Sequence, residues 1–515
     1  MQPIAQSGAT GGAARAGSPA GAAIEDIGAR TLTGSLWMIG ATGSAKALSF
    51  VCQLALAWFL TKTDYAVYAI AISLSVLLSI LRDGGLPMVL EQKRQQFDVF
   101  AGPVFWMMLL INTLTGALIL LIAQPAAAFY RIPELAPVIE LFALSVPLSV
   151  LPSVLAVRLA VDLRFRELAL VQVVSAVMRN VLLLWFASAG WGARSFLLPQ
   201  LITNCSDSLL LWVLTRYSPW TMHPRFDRWR ELFAGGRWVL LGTFAIALGN
   251  NGAYFLLGRV LPSDSVGSYF FAYQLVVQLG VLLSDNIYQV LVPTFALMSA
   301  DRPRMRAAVP RALGTVALIG AAASLLIATL YEPLERMLWH GKWASAAPCV
   351  RILAVVWPAA AAMSVLRALQ MSSGLFKQWG IVTLFSAVAS VTGTVVGAAM
   401  GHSAAAAAIG FGIGSLLSAA LNGTLALSRV GVSPLKAAAA VLRPWLFLLA
   451  AAVTAHYAAR LVAGPGQRLA VAAVTFGALG LASVMLFDRD GLRMILQALE
   501  RLSLGRSKSR AALSR

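Results

Sequence analysis

This chain has little charge and even less acid. Only 12% of its 515 residues are charged while 59% are hydrophobic, and Asp and Glu number 21 against 40 Lys and Arg. Soluble domains carry about 25% charged residues, and the mean hydropathy here is +0.77. A soluble enzyme or binding domain is therefore excluded. Cysteine is scarce: Cys52, Cys205 and Cys349 stand singly in apolar surroundings, without metal spacing or evident pairing partners. Histidine is scarcer per expected task, since His223, His340, His402 and His456 lie far apart near predicted loops or span ends. No zinc site and no nucleophile–base triad can be assembled from such spacing, so no metal and no cofactor is expected. A phosphate-binding loop is missing as well. The sequence GATGSAK at Gly40–Lys46 lacks the order GxxxxGK[ST] and sits in an apolar span, which disfavours an ATP-driven pump.

What fills the chain instead is apolar runs of membrane-crossing length. A hydrocarbon core of about 30 Å takes roughly 20 helical residues to cross, and lipid satisfies no open backbone group, so only helices or closed barrels span it. Runs such as Val104–Ile122, Val171–Ser188 and Val471–Phe487 show no strict alternation, which is the helical pattern. The fold class expected is an all-α polytopic membrane protein with about 14 transmembrane helices. The spans are placed at 33–60, 65–81, 99–123, 135–157, 168–188, 195–215, 238–258, 268–298, 312–331, 348–371, 379–400, 404–428, 440–459 and 469–487.

The net charge of +19 is distributed by side. Alternate connectors gather most of the basic residues, and the other set holds only Lys62, Arg131, Arg194, Arg259, Arg336, Lys342, Arg460 and Arg468. The positive-inside rule then places both termini in the cytoplasm of a cell whose inner membrane holds the protein. The basic connectors are read as topology signals that meet anionic lipids, not nucleic acid.

Residues 1–30, rich in Ala, Gly and Ser, are expected to be a disordered cytoplasmic tail without a signal peptide. Residues 489–515 form a basic tail in which Leu492, Ile495, Leu496, Leu499 and Leu502 recur at helical spacing, fitting either a helix on the inner surface or packing against the bundle. Between the tails lies a repeat. GSLWMIG at Gly34–Gly40 resembles GRWVLLG at Gly236–Gly242, and Asp64 and Asp264 occupy matching places just before the next span. Six spans separate the copies, so both enter the membrane in one sense, as parallel repeats do. The expected organisation is two pseudo-symmetric six-helix lobes, 31–230 and 231–430, with an additional helix pair in 431–488.

Four stretches carry a resemblance: GSLWMIGATGSAKALSFVCQLALAWFLTKTDYAVYAIAISL near the start, RLAVDLRFRELALVQ from Arg158, GRVLPSDSVGSYFFAYQL from Gly258 and LWHGKWASAAPCVRILA from Leu338. Together they resemble the polysaccharide-transport and lipid-linked oligosaccharide flippase branch of the multidrug/oligosaccharidyl-lipid/polysaccharide exporter superfamily, over about residues 30–485. The resemblance implies two helical lobes, alternating access, and passage of an undecaprenyl-pyrophosphate-linked oligosaccharide from the cytoplasmic to the periplasmic leaflet. A polysaccharide polymerase and a chain-length regulator would be the partners. Asn250 and Asn251 depart from the acidic residue that relatives often carry in the seventh span, so no coupling ion is carried over to that position.

Such a task needs cationic and hydrogen-bonding groups at membrane depth. Lys46, Arg179, Arg367 and Arg351 are the candidate substrate-binding residues, since charges at the bilayer centre cost about 2.5–3.5 kcal/mol and usually face a cavity or a partner. Asp285, Asp207, Arg82 and Asp83 are candidates for ion coupling or for charge balance, with an Arg179–Asp207 pair as one structural alternative. Asn250, Asn251, Gln53 and Gln274 are candidates for a sugar path, because amides both donate to and accept from hydroxyls. Two rival functions remain at this level: a membrane-embedded glycan polymerase, ligase or acyltransferase, and a small-molecule exporter of the same superfamily. The short outer connectors speak against the first, and the basic residues at depth speak against a cationic cargo for the second.

Overall fold

The structure is a computed structural model that describes residues 40–78, 86–92, 94–224, 229–299 and 301–487. The expected disordered segment 1–30, the basic tail after Asp488, and Arg82 and Asp83 lie outside the described residues. Among those residues there is no strand. The helices are α1 (40–59), α2 (Lys62–Leu78), α3 (Leu86–Gln92), α4 (Phe97–Tyr130), α5 (Leu135–Leu148), α6 (Val150–Val161), α7 (Phe165–Ser188) and α8 (Leu198–Thr215). After a connector follow α9 (Trp229–Val260), α10 (Ser263–Leu297), α11 (Arg302–Leu338), α12 (Ala347–Ser372), α13 (Phe376–Gly401), α14 (Ala404–Val430), α15 (Pro434–Arg460) and α16 (Pro465–Phe487). Nine spans among the described residues are long and apolar enough to cross a membrane by themselves.

Every expected span has its helix, but the helices overrun the apolar windows. Residues 312–331 are the apolar part of α11, which begins at Arg302 and ends at Leu338. Hydropathy marks where hydrocarbon stops, whereas the helix stops where its end groups find other partners. For α11 that partner is Asp301, whose carboxylate accepts the Arg304 backbone N–H at 3.1 Å. The start of α2 is a capping box: Asp64 Oδ2 accepts the Thr61 N–H at 2.8 Å, while Thr61 Oγ1 accepts the Asp64 N–H at 3.2 Å. The expected span 135–157 is broken in two at Ser149, flanked by Pro147 and Pro152, where proline cannot continue the backbone ladder.

The outside of the bundle is apolar, with Leu121, Leu209, Val290, Met400 and Val474 largely exposed, as a surface that meets acyl chains must be. Exposed tryptophans fall near the two rims, Trp58, Trp185 and Trp191 at one and Trp212 and Trp220 at the other. The rim of Trp58 is the end with few basic connectors, here the sparse end, and the opposite rim is the basic end.

Lipid gives helices no hydrophobic reason to associate, so close packing has to hold them. The α13–α14 pair shows how. A Cβ on Gly410 would overlap the Gly393 carbonyl oxygen, one on Gly393 would overlap the Gly410 carbonyl, and Gly414 stands likewise against Ala389. Helices α15 and α16 lean on α11, where Leu448, Ala451 and Phe476 pack with Leu318 and Leu325, and Trp445 Nε1 donates to the Val355 carbonyl at 2.9 Å. Replacing Gly410 by Ala is expected to destabilise the protein by ~1–3 kcal/mol through overpacking. The control Gly423→Ala, facing nothing within 4 Å, should leave the unfolding temperature in detergent unchanged or slightly raised. Equal melting of the two variants would refute the packing account.

Candidate functional site

Helices α1, α6, α7 and α8 surround a cavity of about 610 Å³. Its lining runs from Leu168 to Arg179 on α7 and from Gln200 to Leu211 on α8. Each wall is a polar stripe at helical spacing: Thr42, Lys46 and Ser49 on α1, Gln172, Ser175 and Arg179 on α7, and Gln200, Thr203, Asn204 and Asp207 on α8. Ser149 and Ser153, at the proline break between α5 and α6, complete it.

Two of the four candidate cations, Lys46 and Arg179, thus share one chamber with Asp207. The Asp207 carboxylate accepts a hydrogen bond from Ser175 Oγ. Arg179 is within electrostatic reach of Asp207, yet it forms no ion pair among the described residues, so the alternative of an Arg179–Asp207 salt bridge is not the arrangement found. Lys46, Arg179 and Asp207 are the charged side chains on its lining. Some amides here are already engaged between helices: Asn180 Nδ2 donates to Ser49 Oγ at 3.2 Å and Asn204 Nδ2 to the Ser145 carbonyl at 3.2 Å.

The other candidates lie elsewhere. Arg351 pairs with Glu332 at 2.6 Å, and Glu332 also holds Arg336 at 2.9 Å. Arg367 sits over the rings of Tyr288 and Trp379, 4.3 and 5.5 Å from their centroids. Asn250 is exposed, Asn251 Nδ2 donates to the Ala247 carbonyl at 3.3 Å, and Gln274 is half-buried. Gln53 lies on α1 with Nε2 buried and no partner among the described residues. The side chain of Asp285 is outside the described residues.

At the sparse end α1 and α2 meet α9, α10 and the 339–343 loop, the two sides of a buried apolar seam. Tyr65, Leu56 and Ala57 pack with Tyr254, Tyr269, Phe271 and Trp343 in one buried cluster. Gly267 admits the backbone there, since a Cβ on it would overlap the Lys62 carbonyl oxygen. Over the seam lies a clasp that sequence reasoning missed. Near the end of α1 the 339–343 loop supplies donors to helix carbonyls: Trp343 Nε1 to Ala57 at 3.0 Å and Lys342 Nζ to Ala57 and Trp58 at 3.2 and 2.9 Å, in the open last turn, and Trp339 Nε1 to Leu54 at 3.1 Å, one turn earlier. Trp58 Nε1 donates back to the Leu338 carbonyl, and Thr63 Oγ1 reaches Asp264 Oδ1 at 3.1 Å. Burial pushes the Lys342 ammonium pKa below the usual lysine value, with the Asp64 charge opposing.

Over residues 55–348 the chain matches the family model described as polysaccharide biosynthesis protein. It is 25% identical over 342 residues to the succinoglycan biosynthesis transport protein ExoT of Rhizobium meliloti, covering 64% of this chain and 67% of that one. To the lipopolysaccharide biosynthesis protein WzxC of Escherichia coli it is 22% identical over 332 residues, again covering 64% and 67%. Among solved structures, the lipid II flippase MurJ in an inward closed conformation has a similar fold, with a TM-score of 0.68 at 14% identity over 88% of this chain and 99% of that one.

The clasp is testable with the chain's own thiols, because Cys349 is fully buried in the seam while Cys205 is exposed. In a Cys52→Ser, Cys205→Ser background, Trp343→Phe with Lys342→Gln removes two donors that make three of the hydrogen bonds and keeps a ring in place. Hydrogen bonds from charged donors contribute about 1.5–3 kcal/mol, so alkylation of Cys349 by a water-soluble maleimide should quicken roughly 10-fold or more. An unchanged rate would mean the seam is held without the clasp.

Proposed function

The chain belongs to the polysaccharide biosynthesis protein family, and on that premise we propose that it is a flippase for an undecaprenyl-pyrophosphate-linked oligosaccharide. The lipid-linked glycan passes from the cytoplasmic to the periplasmic leaflet of the bacterial inner membrane, with the basic end and both termini in the cytoplasm. Two helical lobes, 31–230 and 231–430, rock about the substrate in alternating access, and the pair in 431–488 supports the second lobe.

One observation carries this reading: a cavity lined by Lys46 and Arg179 together with hydroxyls and amides lies between helices whose outer faces are apolar. A polyprenyl tail needs no protein path because lipid already solvates it. The pyrophosphate does need one, and Lys46 with Arg179 supplies cations where water is scarce. Asp207 keeps part of that charge compensated while the cavity is empty of substrate, which limits the cost of holding two cations at depth. Arg179 also offers two-pronged geometry suited to phosphate oxygens. Gln172, Gln200 and the serines beside them can exchange hydrogen bonds with the first sugar.

A glycan polymerase, ligase or acyltransferase is not the reading favoured, since similar proteins are transport and flippase proteins by name. A cationic small molecule would be repelled by the cavity's charge. The glycan serves surface or exopolysaccharide assembly, in which a polymerase and a chain-length regulator act on the delivered product.

In proteoliposomes, the protein should move a labelled lipid-linked oligosaccharide between leaflets without changing its mass. Arg179→Ala or Lys46→Ala should slow this by roughly 10- to 100-fold, the equivalent of one lost charge-assisted contact of about 1.5–3 kcal/mol, while membrane insertion is normal. Wild-type transport by both variants would sink the assignment of the cavity, and a covalently altered lipid would replace transport by an enzymatic reaction.

A further inference from the structure

The seam contains polar atoms that the closed arrangement does not use. A buried tyrosine hydroxyl normally finds a partner, and neighbours of the seam obey this. Tyr130 donates to the Phe255 carbonyl at 2.6 Å and Tyr331 to the Trp343 carbonyl at 2.9 Å. Tyr65 and Tyr254 do not. They are 0% and 2% exposed, and their hydroxyls have no hydrogen-bond partner among the described residues. Gln53 Nε2 on α1 and Trp357 Nε1 on α12 share that condition nearby. For packing alone phenylalanine would serve better at both positions, because the rings are what the seam uses. Tyr65 meets Trp343 edge-on at 5.0 Å and Phe271 at 5.7 Å, and Tyr254 meets Phe270 at 5.1 Å.

The two residues come from opposite sides of the seam, Tyr65 from α2 and Tyr254 from α9, so any parting of the helical sets at the sparse end uncovers them. We infer that Tyr65 and Tyr254 form a glycan-contacting surface of the open state, their hydroxyls bonding sugar hydroxyls while the rings beside them stack on the apolar faces of the sugars. A pyranose presents an apolar C–H face and a hydroxyl rim, and a tyrosine is the side chain that answers both. The inference rests on the alternating-access reading and deepens it: the cavity cations take the pyrophosphate, and the seam takes the neutral sugars that follow.

The test uses Tyr65→Phe, Tyr254→Phe and the double variant of the full chain, with thermal unfolding in detergent and transport in liposomes. Two cargoes are compared, a lipid-linked oligosaccharide and the same polyprenyl pyrophosphate without sugars. Because the closed state does not employ the hydroxyls, unfolding temperatures should stay level or rise. Transport of the sugar-bearing lipid by the double variant should fall roughly 10-fold, the effect of two lost hydrogen bonds, while the sugarless lipid moves at the wild-type rate. Undiminished transport of the sugar-bearing lipid overturns the inference, as does an equal loss for both cargoes, or a drop in unfolding temperature that reveals hydroxyls already bonded in the closed state. A wild-type protein that moves neither cargo instead overturns the flippase reading on which the inference rests.

Discussion

Helix α1 ends at the sparse rim, and the way its last carbonyls are satisfied ties the two sides of the seam together. The final four carbonyls of any helix lack intrahelical partners, and in a membrane protein water is not freely available to meet them. Here the Trp343 indole N–H and the Lys342 ammonium, both from the 339–343 loop, meet the Ala57 and Trp58 carbonyls. The cation also faces the negative end of the helix dipole, which favours it there. A single contact region therefore caps a helix and joins the two halves of the molecule. The halves cannot separate at the sparse end without exposing those carbonyls, so opening there requires something else to compensate.

The cavity faces the complementary problem. Lys46 and Arg179 line it together with Asp207. The clasp is satisfied within the protein, whereas Lys46 and Arg179 border a space of about 610 Å³ that the side chains leave open. A ligand shifts a conformational equilibrium only by its differential affinity for the two states. An anion held in the cavity is placed to do this if lobe movement tightens its contacts, and the clasp sets how much differential binding is required.

Much of this was legible in the sequence, and the failures have physical causes. Apolar runs located every span, because the hydrocarbon thickness imposes their length. The ends were not legible from hydropathy, since caps such as Thr61–Asp64 and Asp301–Arg304 depend on local hydrogen bonds. Rarity of charge at depth singled out Lys46, Arg179 and Asp207, which the fold brings to one chamber. The remaining wall was present as a signal: Gln172, Ser175 and Arg179, or Gln200, Thr203 and Asp207, recur at three- and four-residue spacing within apolar spans. Periodicity of the polar residues, rather than of the apolar ones, would have found it. The clasp joins residues about 285 positions apart, and no local pattern announces such a contact. Likewise, whether a tyrosine hydroxyl is satisfied depends on its surroundings and leaves no trace in composition.

The two halves use their membrane-depth cations differently, and this asymmetry follows from the neighbours each cation has. In the second half, Arg351 is matched by Glu332 and Arg367 is flanked by Tyr288 and Trp379. A guanidinium beside a carboxylate has little left to offer an anion, and one against two aromatic faces is anchored by them. Lys46 and Arg179 in the first half line open space instead. Arg179 thus lines the cavity with no ion pair among the described residues, while Arg351 is held by a carboxylate. The two aspartates that the sequence sets in matching places also differ in their partners: Asp64 caps its own helix through Thr61, whereas Asp264 accepts from Thr63 across the seam.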